Sequence, residues 1–266
     1  MAAAPEERNP VALFDPRLHH FFHRMFSRFF RRHMRAARLP HWGVPEPGPD
    51  DAPLVVFANH PSWWDGVAFM LLGARVLPDK TLFAPMDAAA LTRYRFMRRI
   101  GVFGIETETP RGAVAFLRTA GQVLAAPGHA LWMNAPGRFQ DVRERPVGIA
   151  PGLVRLPEIA PGARFLPLAL EYPFWTERKP EMLAAFGTPI TGAELLALDR
   201  AARAERLRDA LTDTMDRLAA DALSRDPERF AVLLQGREGM GGIYELWRRA
   251  LAALRGQRFD ARHMAR

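Results

Sequence analysis

The segment LVVFANHPSWWDGVAFMLLGARVL, residues 54–77, decides the fold of this chain. Its first part, residues 54–59, is a short apolar run rich in β-forming residues, which predicts a strand buried on both faces. After the HPSWWD loop, residues 66–77 are apolar over most of their length, which predicts a helix packed on the sheet. A buried strand that leads directly into a packed helix is the unit from which parallel α/β sheets are built.

The same alternation of strands and helices continues towards the carboxyl terminus. The further strands that the pattern predicts are residues 81–85, 101–106, 129–136 and 164–172. The helices that it predicts between and after them are residues 86–100, 111–125, 191–223 and 241–254. Strands that alternate with helices favour an α/β fold with a mainly parallel central sheet wrapped by helices. We therefore expect one α/β domain over residues 54–255 and a basic tail over residues 256–266.

Residues 17–37 show the pattern of an amphipathic helix with many aromatic rings. Apolar side chains recur at helical spacing at Phe21, Phe22, Met25, Phe26, Phe29, Phe30 and Met34, and arginines flank them. Such a helix suits a membrane interface, where rings enter the acyl boundary and guanidinium groups meet lipid phosphates. The alternative is an amphipathic helix docked on the protein's own core. The residues that we predict to bind the membrane are Phe22, Phe26, Phe29, Phe30, Arg28 and Arg32.

The composition limits what kind of protein this is. The chain has 266 residues and no cysteine, which excludes a disulfide framework, a thiolate nucleophile and a cysteine metal site. The formal net charge of +8 suggests an anionic partner, although part of this excess reflects an arginine-rich composition. No apolar run reaches the roughly 18 residues of a membrane-spanning helix. We expect a peripheral protein at the cytoplasmic face of a membrane, with residues 1–53 forming the interfacial helix and a proline-rich connector.

The chemically informative part of the opening segment is NHPSWWDG, residues 59–66. His60 leaves the end of a buried strand, and Asp65 falls in the first turn of the next helix. A loop that brings this carboxylate to one imidazole nitrogen leaves the other nitrogen free to take a proton from a hydroxyl group. The alternative is structural, because Ser62 and Asp65 have the spacing of a capping box at a helix N-terminus. Capping accounts for Ser62 and Asp65 but leaves His60 without a role.

The segment NHPSWWDG resembles the first sequence block of the glycerolipid and lysophospholipid acyltransferases. Over residues 54–190, the later blocks of that family have counterparts in the same order, at Gly101–Ile105, Trp132–Phe139 and Phe165–Leu170. The resemblance implies the αβ acyltransferase fold and transfer of a fatty acyl group from acyl-CoA or acyl-carrier protein to a lipid hydroxyl. It also implies that His60 is the general base and that the second and third blocks hold the phosphate of the acceptor.

Two of these blocks depart from the family pattern. The second usually ends with an arginine after Ile-Asp, whereas this chain has Glu106-Thr107 and reaches Arg111 four residues later. The third usually has a glutamate before its glycine, whereas this chain reads Pro136-Gly137-Arg138, with the arginine one place early. These differences bear on the acceptor more than on acyl transfer, and an uncharged polar lipid is consistent with them. The residues that we assign to substrate binding are Gly137, Arg138, Arg111 and Ser62.

We expect no metal, and no cofactor other than the acyl thioester, which is a co-substrate. His19 and His23 have metal-ligand spacing on a helix, but the sequence offers no third ligand beside them. The expected partners are a membrane lipid and an acyl thioester donor. Nucleic acid is not expected, because the arginines lie beside an aromatic stripe and follow no groove-binding motif. A non-catalytic membrane-binding protein of the same fold is the alternative function, and the oligomeric state is left open.

Overall fold

The strand expected at residues 54–59 forms in the middle of a large β-sheet. The computed structural model describes residues 9–45, 52–106 and 109–237. The strands in that part of the chain are β1 (Ala36–Pro40), β2 (Leu54–Ala58), β3 (Thr81–Asp87), β4 (Val102–Ile105), β5 (His129–Asn134), β6 (Arg164–Glu171), β7 (Met182–Phe186), β8 (Ile190–Thr191) and β9 (Phe230–Gln235). Each strand predicted from the sequence is present, with ends that differ by at most two residues.

The sheet is mixed, but the half that contains β2 is parallel. The strand order is β4-β3-β5-β2-β6-β7-β1-β9, and β8 pairs with β6 outside this path. The strands β4, β3, β5, β2 and β6 all run parallel. The strand β7 runs antiparallel to β6, β1 runs parallel to β7, and β9 runs antiparallel to β1. The prediction of an α/β protein with a mostly parallel central sheet is therefore confirmed.

Helices cover both faces of this sheet. The helices of the described residues are α1 (Pro10–Leu13), α2 (Pro16–His33), α3 (Asp65–Val76), α4 (Ala88–Arg93), α5 (Pro110–Val123), α6 (Pro151–Ile159), α7 (Gly192–Leu196) and α8 (Arg200–Ser224). One face packs against α2 and α3, and the opposite face packs against α5, α6, α7 and α8. None of these helices is long and apolar enough to cross a membrane.

The strand β2 is buried on both faces because its side chains alternate between two hydrophobic clusters. Val55 and Phe57 belong to the cluster beneath α5, α6 and α8. Val56 and Ala58 belong to the cluster beneath α2 and α3. A fully buried valine or phenylalanine side chain contributes about 1.5–3 kcal/mol to the stability of the fold. Because β2 is held rigidly in the core, the chain that follows it starts from a fixed position and direction.

The helix α2 is docked on the protein along one side and exposed along the other. Its N-terminus is capped by the Asp15 carboxylate, which accepts hydrogen bonds from the backbone N–H groups of Arg17 and Leu18. Phe30 is fully buried in the core, so the prediction that it contacts the membrane is wrong. Phe22 and Phe26 are half-buried against the protein. The side chains that the helix leaves exposed include Phe21, Met25, Phe29, Arg24, Arg28 and Arg32.

The structure corrects several element boundaries. The first helix ends at His33, and β1 occupies part of what was expected to be a proline-rich connector. The helix expected at residues 86–100 is interrupted at Tyr94, so α4 is followed by a 3-10 helix over Arg95–Ile100. The helix expected at residues 191–223 is divided into α7 and α8. The helix and tail expected at residues 241–254 and 256–266 lie outside the described residues.

Candidate active site

The candidate site lies at the carboxyl edge of the parallel strands, where β2 ends between β5 and β6. From β2 the chain crosses over β5 to reach β3, and from β5 it crosses over β2 to reach β6. Connections therefore leave this point of the sheet in opposite directions. Such a switch in direction opens a crevice at the carboxyl ends of the strands, which is where α/β proteins commonly bind ligands. His60 stands two residues beyond the end of β2, at this point.

His60 and Asp65 form a close pair across the loop. The Nδ1 atom of His60 lies 2.6 Å from the Oδ2 atom of Asp65. Asp65 is the first residue of α3 and is fully buried, whereas 18% of the His60 side chain is exposed. An ionised carboxylate only accepts hydrogen bonds, so Nδ1 carries the proton in this pairing and Nε2 keeps a lone pair. Nε2 makes no hydrogen bond within the described part of the chain, so it is free to accept a proton.

The capping alternative holds in part. The Asp65 Oδ2 atom accepts a hydrogen bond of 3.2 Å from the Ser62 backbone N–H, as the acidic member of a capping box does. The Ser62 hydroxyl, however, accepts from the backbone N–H of Trp64, at 3.2 Å. The helix α3 starts at Asp65, with Trp64 as its N-cap, and the reciprocal half of the capping box is missing. The same carboxylate oxygen therefore orders the loop and holds the imidazole.

Tyr172 is a site residue that sequence reasoning did not assign. Its hydroxyl donates a hydrogen bond of 2.8 Å to the Asp65 Oδ1 atom. Burial, together with the adjacent charge of Asp65, raises the pKa of Tyr172 well above its ordinary value. The phenol therefore keeps its proton and acts as a donor. The sequence placed Tyr172 at the end of a predicted strand, but nothing in a single sequence indicates that it contacts a residue of α3.

Asn59 fixes the end of β2 against β6. Its side-chain amide donates to the Leu170 carbonyl at 2.9 Å and accepts from the Leu170 backbone N–H at 2.8 Å. Asn59 is buried, and both of its polar atoms are satisfied by this one residue. Because His60 follows directly, the paired hydrogen bonds set the direction in which the imidazole leaves the sheet.

A loop after β5, residues 135–148, packs over His60. Gly137 adopts a left-handed conformation with φ 68°, which glycine tolerates without strain. The backbone N–H of Gln140 donates to the His60 carbonyl at 3.0 Å. The Phe139 ring stacks on the imidazole, with 4.1 Å between ring centroids and 24° between ring planes. The loop therefore presents an aromatic ring to His60, while the Arg138 guanidinium points to Glu144.

Of the predicted substrate-binding residues, Ser62 and Gly137 lie in the two loops beside His60, whereas neither predicted arginine contacts His60. Arg138 lies in the neighbouring loop, but its exposed guanidinium is 3.4 Å from Glu144. Arg111 is exposed in the first turn of α5, and it follows β4 at the same edge of the sheet. Since β3 and β5 separate β4 from β2, strand spacing places the ends of β4 and β2 roughly 14 Å apart. Thr107, its counterpart in the family pattern, lies outside the described residues.

The exposed side of α2 adjoins the loop that carries His60. Phe29 stacks on Trp64 at 5.2 Å and makes an edge contact with Trp63 at 6.3 Å. Trp63 is 64% exposed, although it lies only three residues from His60. We call the exposed side chains on this side of the molecule the aromatic rim: Phe21, Met25, Phe29, Trp63 and Phe96. Arg24, Arg28 and Arg32 are exposed beside it, and their guanidinium groups make no ion pair within the described residues.

His19 and His23 of α2 face the protein, whereas His20 and His33 are exposed. Burial lowers the pKa of His19 and of His23, and neighbouring cationic groups lower both further. Within the described ranges, no group of three or more histidine, aspartate or glutamate side chains is arranged to hold a metal ion.

Comparison with models of known protein families gives no match to this chain, and comparison with curated proteins gives no significant match. The interpretation of the site therefore depends on its own geometry: a buried carboxylate, an imidazole with one free nitrogen, and an open edge bordered by aromatic rings.

Proposed function

We propose that this chain is an O-acyltransferase that works at a membrane surface. It would move a fatty acyl group from acyl-CoA or acyl-carrier protein to the hydroxyl of a lysophospholipid or related polar lipid. The observation that carries the proposal is the 2.6 Å contact between His60 Nδ1 and Asp65 Oδ2, with Nε2 left free at the edge of the sheet. The resemblance of the segment at residues 59–66 to the first acyltransferase block points to the same chemistry.

The reaction follows from this pair. His60 Nε2 accepts the proton of the acceptor hydroxyl while the hydroxyl oxygen forms a bond to the carbonyl carbon of the thioester. The carbon–sulfur bond then breaks, and the departing thiolate takes the proton from the imidazolium. One alcohol and one thioester yield one ester and one thiol, so the step balances without a further reactant. Asp65 stabilises the imidazolium and keeps the proton on Nδ1 before attack.

The aromatic rim supports a membrane location for this reaction. Exposed aromatic side chains favour the boundary between headgroups and acyl chains, and nearby arginines attract anionic lipids. Phe29 connects the rim to the catalytic loop through Trp63 and Trp64. A lipid acceptor would therefore be taken up on the same side of the protein as the free nitrogen of His60.

The experiment that tests the proposal compares the wild type with His60→Ala. We expect the wild type to transfer a labelled acyl group from acyl-CoA or acyl-carrier protein to members of a panel of lysolipids and neutral lipid alcohols. In His60→Ala, loss of the general base should lower the rate of this transfer by about 10²–10⁴-fold. His41→Ala is the matched control, because this exposed histidine contacts only the Glu228 backbone carbonyl. Transfer that is undiminished in His60→Ala would contradict the mechanism.

The second candidate is a membrane-binding protein without transfer activity. It is favoured by one observation, namely that the Arg138 guanidinium lies against Glu144 and does not contact His60. That protein would bind vesicles but show no transfer with any acceptor, and its His60→Ala variant would be indistinguishable from the wild type.

A further inference from the structure

The loop that covers His60 places an aromatic ring directly against the imidazole. Phe139 stacks on the imidazole at 4.1 Å, yet 60% of Phe139 is exposed. One face of the ring therefore covers the catalytic side chain, and the other face is open to an incoming molecule. Phe139 forms an apolar wall of the site.

This wall is held in place by Gln140. The Gln140 side chain donates to the Pro146 carbonyl at 3.1 Å and accepts from the Gly148 backbone N–H at 2.9 Å. Its own backbone N–H donates to the His60 carbonyl at 3.0 Å. Only 6% of Gln140 is exposed, so the neighbour of Phe139 is fixed on both its backbone and its side chain.

The cations of the same loop are already engaged by carboxylates. Arg138 lies 3.4 Å from Glu144. Arg143 lies 2.9 Å from Asp141. Arg145 lies 2.5 Å from Asp216 on α8. A phosphate held beside His60 needs free donors that are directed at it. In this structure each of these arginines is directed at a carboxylate, and none of them contacts His60.

An aromatic face also opposes an anion. The face of a phenyl ring carries negative electrostatic potential, so a phosphate against Phe139 would be repelled and would lose its hydration. The same potential favours the imidazolium that forms on His60 during transfer. The arrangement thus assists the base and disfavours a phosphate next to the reacting hydroxyl.

We infer that Phe139 is a specificity residue and that the acceptor is a neutral lipid alcohol with no phosphate adjacent to its reacting hydroxyl. A monoacylglycerol has this chemistry, and lysophosphatidic acid does not. The inference rests on the proposed function and names the acceptor class for that site. The alcohol gives its proton to His60 Nε2, its oxygen bonds to the acyl carbon, the carbon–sulfur bond breaks, and the thiolate recovers the proton.

The test measures kcat/KM for two acceptors that carry the same acyl chain, a 1-monoacylglycerol and a lysophosphatidic acid, in mixed micelles. We expect the wild type to favour the neutral acceptor by about tenfold or more, the scale of one hydrogen bond to a charged group. Phe139→Arg should lower this preference by about tenfold or more, since it places a free donor beside the hydroxyl. Phe174→Arg is the matched control: Phe174 is 64% exposed and has no ring contact with His60.

A second measurement needs no variant. Hydroxyalkyl phosphates of increasing chain length move the phosphate away from the hydroxyl, and wild-type discrimination against them should decline with that distance. Equal or faster transfer to lysophosphatidic acid than to the monoacylglycerol overturns the inference while leaving acyl transfer in place. Discrimination that does not change with the position of the phosphate overturns it as well. Absence of transfer to every acceptor, in wild type and His60→Ala alike, contradicts the proposed function instead.

Discussion

At the scale of single residues, the Asp65 carboxylate is held by three hydrogen-bond donors. It accepts hydrogen bonds from the His60 imidazole, the Ser62 backbone and the Tyr172 hydroxyl. A buried carboxylate is costly unless its oxygens are satisfied. These three donors therefore stabilise the fold and orient the imidazole at the same time, so variants of Asp65 change both stability and any activity that depends on His60.

Tyr172→Phe separates these two effects, because it removes one donor and leaves the His60–Asp65 contact in place. We expect a loss of about 1.5–3 kcal/mol in the free energy of unfolding, the usual value for a hydrogen bond to a charged group. Urea denaturation followed by circular dichroism measures it. Tyr94→Phe is the control, since Tyr94 is exposed in the turn after α4 and makes no hydrogen bond through its hydroxyl within the described chain. An equal loss in both variants would show that the Asp65 contact contributes nothing.

At the scale of elements, α6 and α8 are joined by an ion-pair cluster around Glu158. Its carboxylate contacts Arg200 at 3.0 Å and the buried Arg203 at 3.1 Å. Arg203 also donates to the carbonyl groups of Leu195 and Val154, so it links α6, α7 and α8. The cluster fixes one helical layer at a point away from the candidate site.

This cluster makes the stability depend on pH in a defined direction. The hydrogen bond from Arg200, followed by that from Arg203, lowers the pKa of Glu158 from 4.5 to about 2. A carboxyl group with a lowered pKa stabilises the folded state above its unfolded pKa, and this contribution is lost as the pH falls from 4.5 to 2. We therefore expect Glu158→Gln to be less stable than the wild type at neutral pH, with the difference disappearing near pH 2. Thermal unfolding across this range measures it, and Asp213→Asn, on the exposed side of α8, should show no such trend.

The exposed face of α2 leads to a prediction about membrane binding. Removing Arg28 and Arg32 as Arg28→Gln/Arg32→Gln should weaken binding to vesicles that contain phosphatidylglycerol by about 1 kcal/mol per arginine. The effect should diminish as salt is added, because surface charges are screened. Arg118→Gln/Arg206→Gln changes the net charge equally on α5 and α8, which cover the opposite face of the sheet. If both double variants lose the same affinity in a sedimentation assay, α2 is not the membrane-binding element.

The elements also show which parts of this structure a sequence can predict. The strand β2, the loop and α3 are encoded within 24 consecutive residues, so hydrophobic pattern and spacing indicate both the elements and the His60–Asp65 pair. The strand β1 was missed because its partners are remote: Ala37 pairs with Met182 and with Leu234. Arg38 within it is buried against Glu181, so its charge does not mark a surface position. Tyr172 was missed for the same reason, since its contact with Asp65 spans 107 residues.

At the scale of the whole molecule, the last described residues are joined to the end of α2. The backbone N–H of Gly236 donates to the Arg35 carbonyl at 2.8 Å, and that of Arg237 donates to the Arg31 carbonyl at 2.7 Å. The strand β9 pairs with β1, and the residues after it contact the end of α2. The helix α2 is thus held by a strand that follows it by about 200 residues.

Gly236 allows this closure, since a side chain there would collide with the backbone. A Cβ atom at this position would lie 1.9 Å from the Met34 carbonyl oxygen. Gly236→Ala should therefore lower the free energy of unfolding by about 1–3 kcal/mol, as overpacking usually does. Gly162→Ala is the control, because nothing lies within 4 Å of a Cβ atom there. Equal stability of the two variants in urea would mean that the strand end relaxes freely.

The placement of β1 has a consequence for synthesis on the ribosome. Its pairing partner β7 begins about 145 residues later, and β9 follows later still. At roughly 5–20 residues per second, β1 would wait roughly 7–30 s before its first partner is made. During that interval Ala36, Ala37 and Leu39, all buried in the finished sheet, stand beside the rings of α2 without cover. The nascent chain therefore keeps these apolar side chains uncovered until β7 has been synthesised.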